Sequence, residues 1–205
     1  MMFSAIFMSI ILKSDVIIIE SILGPTQVGY YSPAVVAITS LYFLPQIASQ
    51  IFTPRLTNNI NSKSYTLSYY RFSWAIGTAL LLLNISILPY FVNLVYGNQY
   101  QESLQIVRYL APLGFMYTLQ TAQVTYLNVN GFVDIVFKGN LLSAAMNVAL
   151  NLALISIFGL KGVAIASAIS IALGLTAVAI FDERSKHEII KLWLLPFRYL
   201  SPKNV

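Results

Sequence analysis

The chain has 205 residues, no cysteine and a single histidine, His187. Without cysteine there is no disulfide framework, no thiolate chemistry and no cysteine-based zinc site. One histidine leaves little for a histidine-based metal centre or a catalytic triad. Charge is scarce as well: Asp, Glu, Lys and Arg make up 9% of the residues, against roughly 25% in typical soluble domains. The 12 basic and 7 acidic side chains cannot furnish the polar skin that a soluble domain of this size needs. An ordinary soluble enzyme is excluded. So is disorder, which needs low hydrophobicity and high net charge, because 58% of the residues are apolar. There is also no Lys/Arg cluster of the kind that tracks phosphates, so nucleic acid is not an expected partner.

What is present is long apolar runs, and the mean hydropathy is +0.74. A spanning helix needs about 20 mostly apolar residues. Six runs qualify: Met2–Leu23, Ala34–Pro54, Phe72–Val92, Leu104–Leu127, Ile135–Phe158 and Val163–Phe181. They are too long and too uniformly apolar for barrel strands, which alternate. The sequence therefore predicts an all-α, polytopic transmembrane bundle of six spans over residues 1–181. Turns are expected at Gly24-Pro25 with Gly29, at Asn58–Lys63, at Tyr96-Gly97-Asn98, at Asn128–Gly131 and at Gly159–Gly162. The first run lacks a basic n-region and a small-residue cleavage site, so it reads as a span rather than a signal peptide.

Lys and Arg set the expected orientation. Three lie in the second loop (Arg55, Lys63, Arg71), one in the fourth (Lys138) and five in the tail (Arg184, Lys186, Lys191, Arg198, Lys203). The first, third and fifth loops hold only Lys161. Nine against one places both termini in the cytoplasm. Tyr30, Tyr31, Tyr65, Tyr69, Tyr70, Trp74, Tyr90 and Tyr96 fall near span ends, where amphipathic rings favour the interface. Residues 182–205 combine a charged stretch with the short apolar run Ile189–Leu195, which predicts an amphipathic helix on the cytoplasmic leaflet.

Chemistry is expected where polar groups enter the apolar runs. Lys13, Asp15 and Glu20 stand inside the first; Lys13 and Glu20 share a helix face and Asp15 points away from them. An intramembrane ionisable residue reads as functional by default, although a charge pair or a span boundary would also account for Lys13. Asn147 and Asn151, four apart, share one face of the fifth run. With Asn84, Gln120 and Gln123 they can line a hydrophilic path, or simply bond helix to helix. Arg108 can meet an entering anion or snorkel to the interface. Gly162, Ala166, Ser170 and Gly174 form a small-residue packing face. Pro45 and Pro112 should kink their helices. No Ser/His/Asp set, phosphate loop or carboxylate pair is present, so no catalytic residue, cofactor or metal is expected.

The order of several segments resembles a known family. Lys13-Ser14-Asp15 with Val28-Gly29-Tyr30-Tyr31-Ser32, Pro45 and Pro54-Arg55-Leu56 resembles the start of the second half of bacterial polysaccharide flippases. Leu94-Val95-Tyr96-Gly97-Asn98-Gln99-Tyr100 resembles that family's loop between its ninth and tenth spans. Asn147 to Asn151, then Phe158-Gly159 through Gly162 to Ser170, resembles its last two spans. These are the O-antigen and capsule exporters of the MATE/MOP superfamily. The resemblance implies one six-helix lobe of a twelve-helix transporter, working by alternating access on an undecaprenyl-diphosphate-linked oligosaccharide in the inner membrane. It implies an amino-terminal six-span half as partner, besides membrane lipids. Lys13 and Arg108, with Asn147, Asn151, Gln120 and Gln123, are then the expected substrate contacts, and Asp15 and Glu20 the expected charge-balancing or ion-coupling groups. A membrane-embedded glycan-assembly enzyme, such as a polymerase or acyltransferase, and a small-molecule exporter of the same superfamily remain open as alternatives.

Overall fold

The computed structural model describes residues 2–59 and 62–198, by backbone alone at 2–12, 98 and 195–198. Every regular element in it is helical: α1 (Met2–Leu23), α2 (Pro25–Thr39), α3 (Phe43–Asn58), α4 (Lys63–Ser86), α5 (Leu88–Tyr96), α6 (Gln101–Leu110), α7 (Pro112–Val129), α8 (Val133–Phe158), α9 (Leu160–Phe181) and α10 (Lys186–Arg198). Helices α2 and α3 run together as Pro25–Asn58 through a 3-10 turn at Ser40–Tyr42. Three helices among the described residues are long and apolar enough to cross a membrane: Pro25–Asn58, α8 and α9. Helices α4 and α5, bent by 46° at their junction, make a fourth if the pair is one broken span. Met1, Ile60, Asn61 and residues 199–205 of the expected tail, Lys203 included, lie outside the described residues.

Prolines explain the breaks. Pro89 lacks the amide that would bond the Ile85 carbonyl, and the α4–α5 bend falls there. Pro112 frees the Arg108 carbonyl, which accepts the Ala111 amide at 3.4 Å instead. Pro45 stands in the first turn of α3, just past the 3-10 turn. At the other kind of break, positive φ occurs among the described residues only at Gly24, Gly97, Gly131 and Gly159, all within expected turns. Gly29 is not a turn residue: it lies inside α2, since Gly24 at φ 88° and Pro25 at the helix start already redirect the chain.

Helix α8 packs on both α9 and α1, while α7 touches α3, α4 and α9. The α8–α9 contact is close because glycines line it. A Cβ on Gly174 would collide with Ser143 Oγ and stand 2.5 Å from the Ser143 Cα, and one on Gly139 would stand 2.9 Å from the Leu175 Cα. The small-residue face thus packs within the bundle. Helix α10 folds back on the same end, burying Ile189 and Leu192 completely, and its Leu192 carbonyl accepts the Trp74 Nε1–H at 2.8 Å. Tyr69 and Tyr70, expected at the interface, are buried with Leu56, Leu119 and Leu192 because α10 covers them. Arg184 pins the approach to α10, donating to Asp182 and to Asp134, each at 2.7 Å.

Candidate functional site

One polar cluster ties four helices together inside the apolar bundle. Asp15 on α1 is 6% exposed. Its Oδ1 accepts Asn151 Nδ2–H from α8 at 2.6 Å. Its Oδ2 accepts the Tyr31 hydroxyl from α2 at 2.9 Å and the Ser167 hydroxyl from α9 at 2.9 Å. A second tier surrounds this one. Asn147 donates to Ser167 Oγ at 3.2 Å and accepts from Ser14 at 3.0 Å and from Asn151 at 3.2 Å. The cluster follows from helical spacing: Asn147 and Asn151 are one turn apart on α8 and project to the same side.

The cluster is rich in acceptors. Asn151 Oδ1 is buried without a partner, immediately beside the carboxylate its own amide reaches. A cavity of 20 Å³ adjoins Asp15, Tyr31, Tyr42 and Ser167, and Leu110 and Ile171 close it on the apolar side. That is room for one water-sized species. Oxygen ligands without sulfur or imidazole suit a proton or a hard cation rather than a transition metal. Among the described residues no group of three or more His, Cys, Asp or Glu side chains is placed to hold a metal ion.

The other expected site residues are distributed differently. Lys13 and Glu20 are exposed on the side of α1 away from Asp15, and Arg108 is exposed on α6. None of them enters the ion pairs found among the described residues. Gln123 is buried and exchanges hydrogen bonds with Thr176 on α9, at 2.9 and 3.3 Å. It joins two helices. Gln120, three residues earlier, opens instead onto a groove of 550 Å³ between α3 and α7. Asn84 is buried and donates to the Ala111 carbonyl at 3.2 Å.

Sequence reasoning missed Tyr31, Ser14 and Ser167. Tyr31 was expected at an interface, yet it is 1% exposed; the Asp15 carboxylate supplies the partner that a buried phenol requires. It also missed the groove, whose sequence signal is Ser49, Thr53 and Thr57 repeating every four residues on α3. Tyr42 and Tyr117 stack between cluster and groove, with ring centroids 3.9 Å apart and planes within 8°. Tyr42 walls the Asp15 cavity and Tyr117 lines the groove. No family model, curated protein or solved structure matches this chain.

Proposed function

We propose that this chain is the carboxy-terminal lobe of a lipid-linked oligosaccharide flippase, six-spanning, in a bacterial inner membrane with both termini cytoplasmic. It translocates an undecaprenyl-diphosphate-linked O-antigen or capsule repeat unit by alternating access, and it breaks no bond. The observation that carries the reading is the Asp15 cluster. A carboxylate in the middle of an apolar bundle is costly, and such groups mark ion pathways and relays. Here it is held by donors from three other helices, which is how a charge can govern helix arrangement. Hydrogen bonds to an ionised acceptor are roughly twice as strong as neutral ones. When a proton or alkali cation neutralises Asp15, its hold on Tyr31, Asn151 and Ser167 weakens, and α1 is freed to shift against α2, α8 and α9.

The alternating cavity of such a transporter needs two lobes that rock around a shared site. The exposed Lys13–Glu20 side of α1 is available to an amino-terminal half, and Lys13 and Arg108 supply positive charge for the diphosphate. The test is complementation in cells lacking the exporter. The chain is expressed alone and together with a matching amino-terminal six-span half, and surface polysaccharide is measured. Restoration by the pair only is expected. Restoration by the chain alone would replace the half-transporter by a homodimer, and no restoration in either case, with both halves in the membrane, would end the flippase reading.

A further inference from the structure

We propose that the groove between α3 and α7 is a binding site for the uncharged part of a glycan, with Gln120 as its central recognition residue. The proposal rests on the flippase reading for the source of that glycan and on the groove's own chemistry for its class. At 550 Å³ the groove is within the usual range for small-molecule sites. Asp, Glu, Lys, Arg and His are all absent from its lining. A diphosphate or uronate would find no cation there, whereas charged ligands are normally met by Arg or Lys.

The serine and threonine hydroxyls of the lining have already committed their protons, whereas Tyr117 accepts from Gln46 at 2.9 Å and keeps its own. Thr53 donates to the Ser49 carbonyl at 2.7 Å, Thr57 to that of Thr53 at 2.9 Å and Thr121 to that of Tyr117 at 2.8 Å. Thr125 donates to the Thr121 carbonyl at 2.8 Å. It therefore accepts from Ser49, 2.6 Å away across the groove's inner edge. What Thr53, Thr57 and Thr121 still offer is lone pairs. A ligand that fits must bring hydroxyl donors.

Gln120 supplies the complementary half. It is 6% exposed, lines the groove, and neither its carbonyl nor its amide has a hydrogen-bond partner among the described residues. Its amide atoms are not among the buried unpartnered ones; they reach the groove, where a ligand can take the place of water on both. Asn128 and Asn140, which also line the groove, likewise have no side-chain partner among the described residues. Amides that both donate and accept, set among acceptor hydroxyls, match the vicinal hydroxyls of a neutral sugar. Tyr117 adds an aromatic edge beside them. The groove lies toward the end of the bundle that carries Arg55 and Lys138, the end assigned to the cytoplasm, where a glycan would be loaded.

The full chain is placed in nanodiscs free of glycolipid and sugar detergent. Binding of neutral tetrasaccharides built from glucose, galactose, mannose or N-acetylglucosamine is followed by saturation-transfer NMR, with tetragalacturonate as the acidic counterpart of equal length. At least one neutral tetrasaccharide should bind, and tetragalacturonate should bind at least tenfold more weakly. Gln120→Leu should weaken the neutral ligand at least tenfold. Thr121→Val, which keeps the side chain's shape, should weaken it several-fold with unchanged helical circular dichroism, so that a folding defect in the first variant leaves the test intact. Binding of no neutral tetrasaccharide, equal binding of the acidic one, or indifference to both substitutions would overturn the proposal. Restored surface polysaccharide with no such binding would remove the groove alone. Glycan binding without complementation would remove the flippase reading alone.

Discussion

The Asp15 carboxylate accepts the Asn151 amide at 2.6 Å across 136 residues of chain. That one contact joins the first helix to the eighth, and Ser167 and Tyr31 close the ring from α9 and α2. The cluster is both a structural tie and a charge, and substitution can separate the two roles.

Asp15→Ala strips the acceptor from three buried donors at once. Interhelical hydrogen bonds in membrane proteins average about 0.6 kcal/mol, while an unsatisfied buried donor costs about 1–3. A loss on the order of 2–4 kcal/mol is expected in detergent unfolding. Asp15→Asn keeps the shape and one carbonyl acceptor, so it should cost only about 1 kcal/mol while abolishing ion-dependent transport with the partner half. Full transport by Asp15→Asn would make the carboxylate a purely structural group.

Some of this was legible in the sequence and some was not. The four-residue spacing of Asn147 and Asn151 fixes a shared face in any helix, and a carboxylate two residues from Lys13 must point away from it. Those are local facts of helical geometry. Which face is covered is a tertiary fact. Gln120 and Gln123 are equivalent polar interruptions of one apolar run, yet Gln123 meets Thr176 and Gln120 meets open space, because α9 packs on one side of α7 only there. The same holds for Tyr31, Tyr69 and Tyr70. Position near a run's end marked them for an interface, and only the packing of Asp15 and of α10 shows them to be buried. The six expected spans correspond to three or four helices that qualify by length and composition among the described residues.

Close packing of α8 on α9 holds Asn147, Asn151 and Ser167 in register, and Gly174 is where backbone and side chain come nearest. Since a Cβ there would stand 2.5 Å from the Ser143 Cα, Gly174→Val must push the helices apart. Overpacking of this kind costs about 1–3 kcal/mol. The expected result is lower resistance to unfolding together with weaker transport. A Gly174→Val protein as stable as the parent would mean that the two helices are not packed as described.

Outside the apolar segments, Arg184 holds the carboxyl of Asp182 down to about 2 through its side-chain hydrogen bond, aided by the Arg184 amide and the nearby charges of Arg184 and Lys138. A carboxylate depressed in the folded state contributes its stability above its ordinary value of 3.8 and loses it as pH falls toward about 2. The α9–α10 corner should therefore be indifferent to pH from 5 to 8 and loosen only in strong acid. Carboxyl-carbon NMR of labelled aspartate should show Asp182 titrating near that low value, and Arg184→Gln should return it toward 3.8. An Asp182 that titrates normally beside an intact Arg184 would rule out this contact.

Orientation can be tested directly because the chain has no cysteine of its own. Single cysteines at Gln99 and Lys161 fall at exposed positions by the α5–α6 and α8–α9 turns; Ser64 and Glu183 are exposed near the α3–α4 and α9–α10 connections. By the positive-inside rule, the excess of Lys and Arg in the loops near Ser64 and Glu183 predicts a cytoplasmic position for both. A membrane-impermeant maleimide added to intact spheroplasts should label Gln99→Cys and Lys161→Cys at once. Ser64→Cys and Glu183→Cys should react only after permeabilisation. Thr57 and Asn128 of the groove's lining lie near the last residues of α3 and α7, by the α3–α4 connection that carries Ser64, so the same four variants decide on which side of the membrane that end of the groove lies. Labelling of Ser64→Cys and Glu183→Cys in intact cells, with the other two protected, would invert the topology and put the Thr57–Asn128 end of the groove on the outer side.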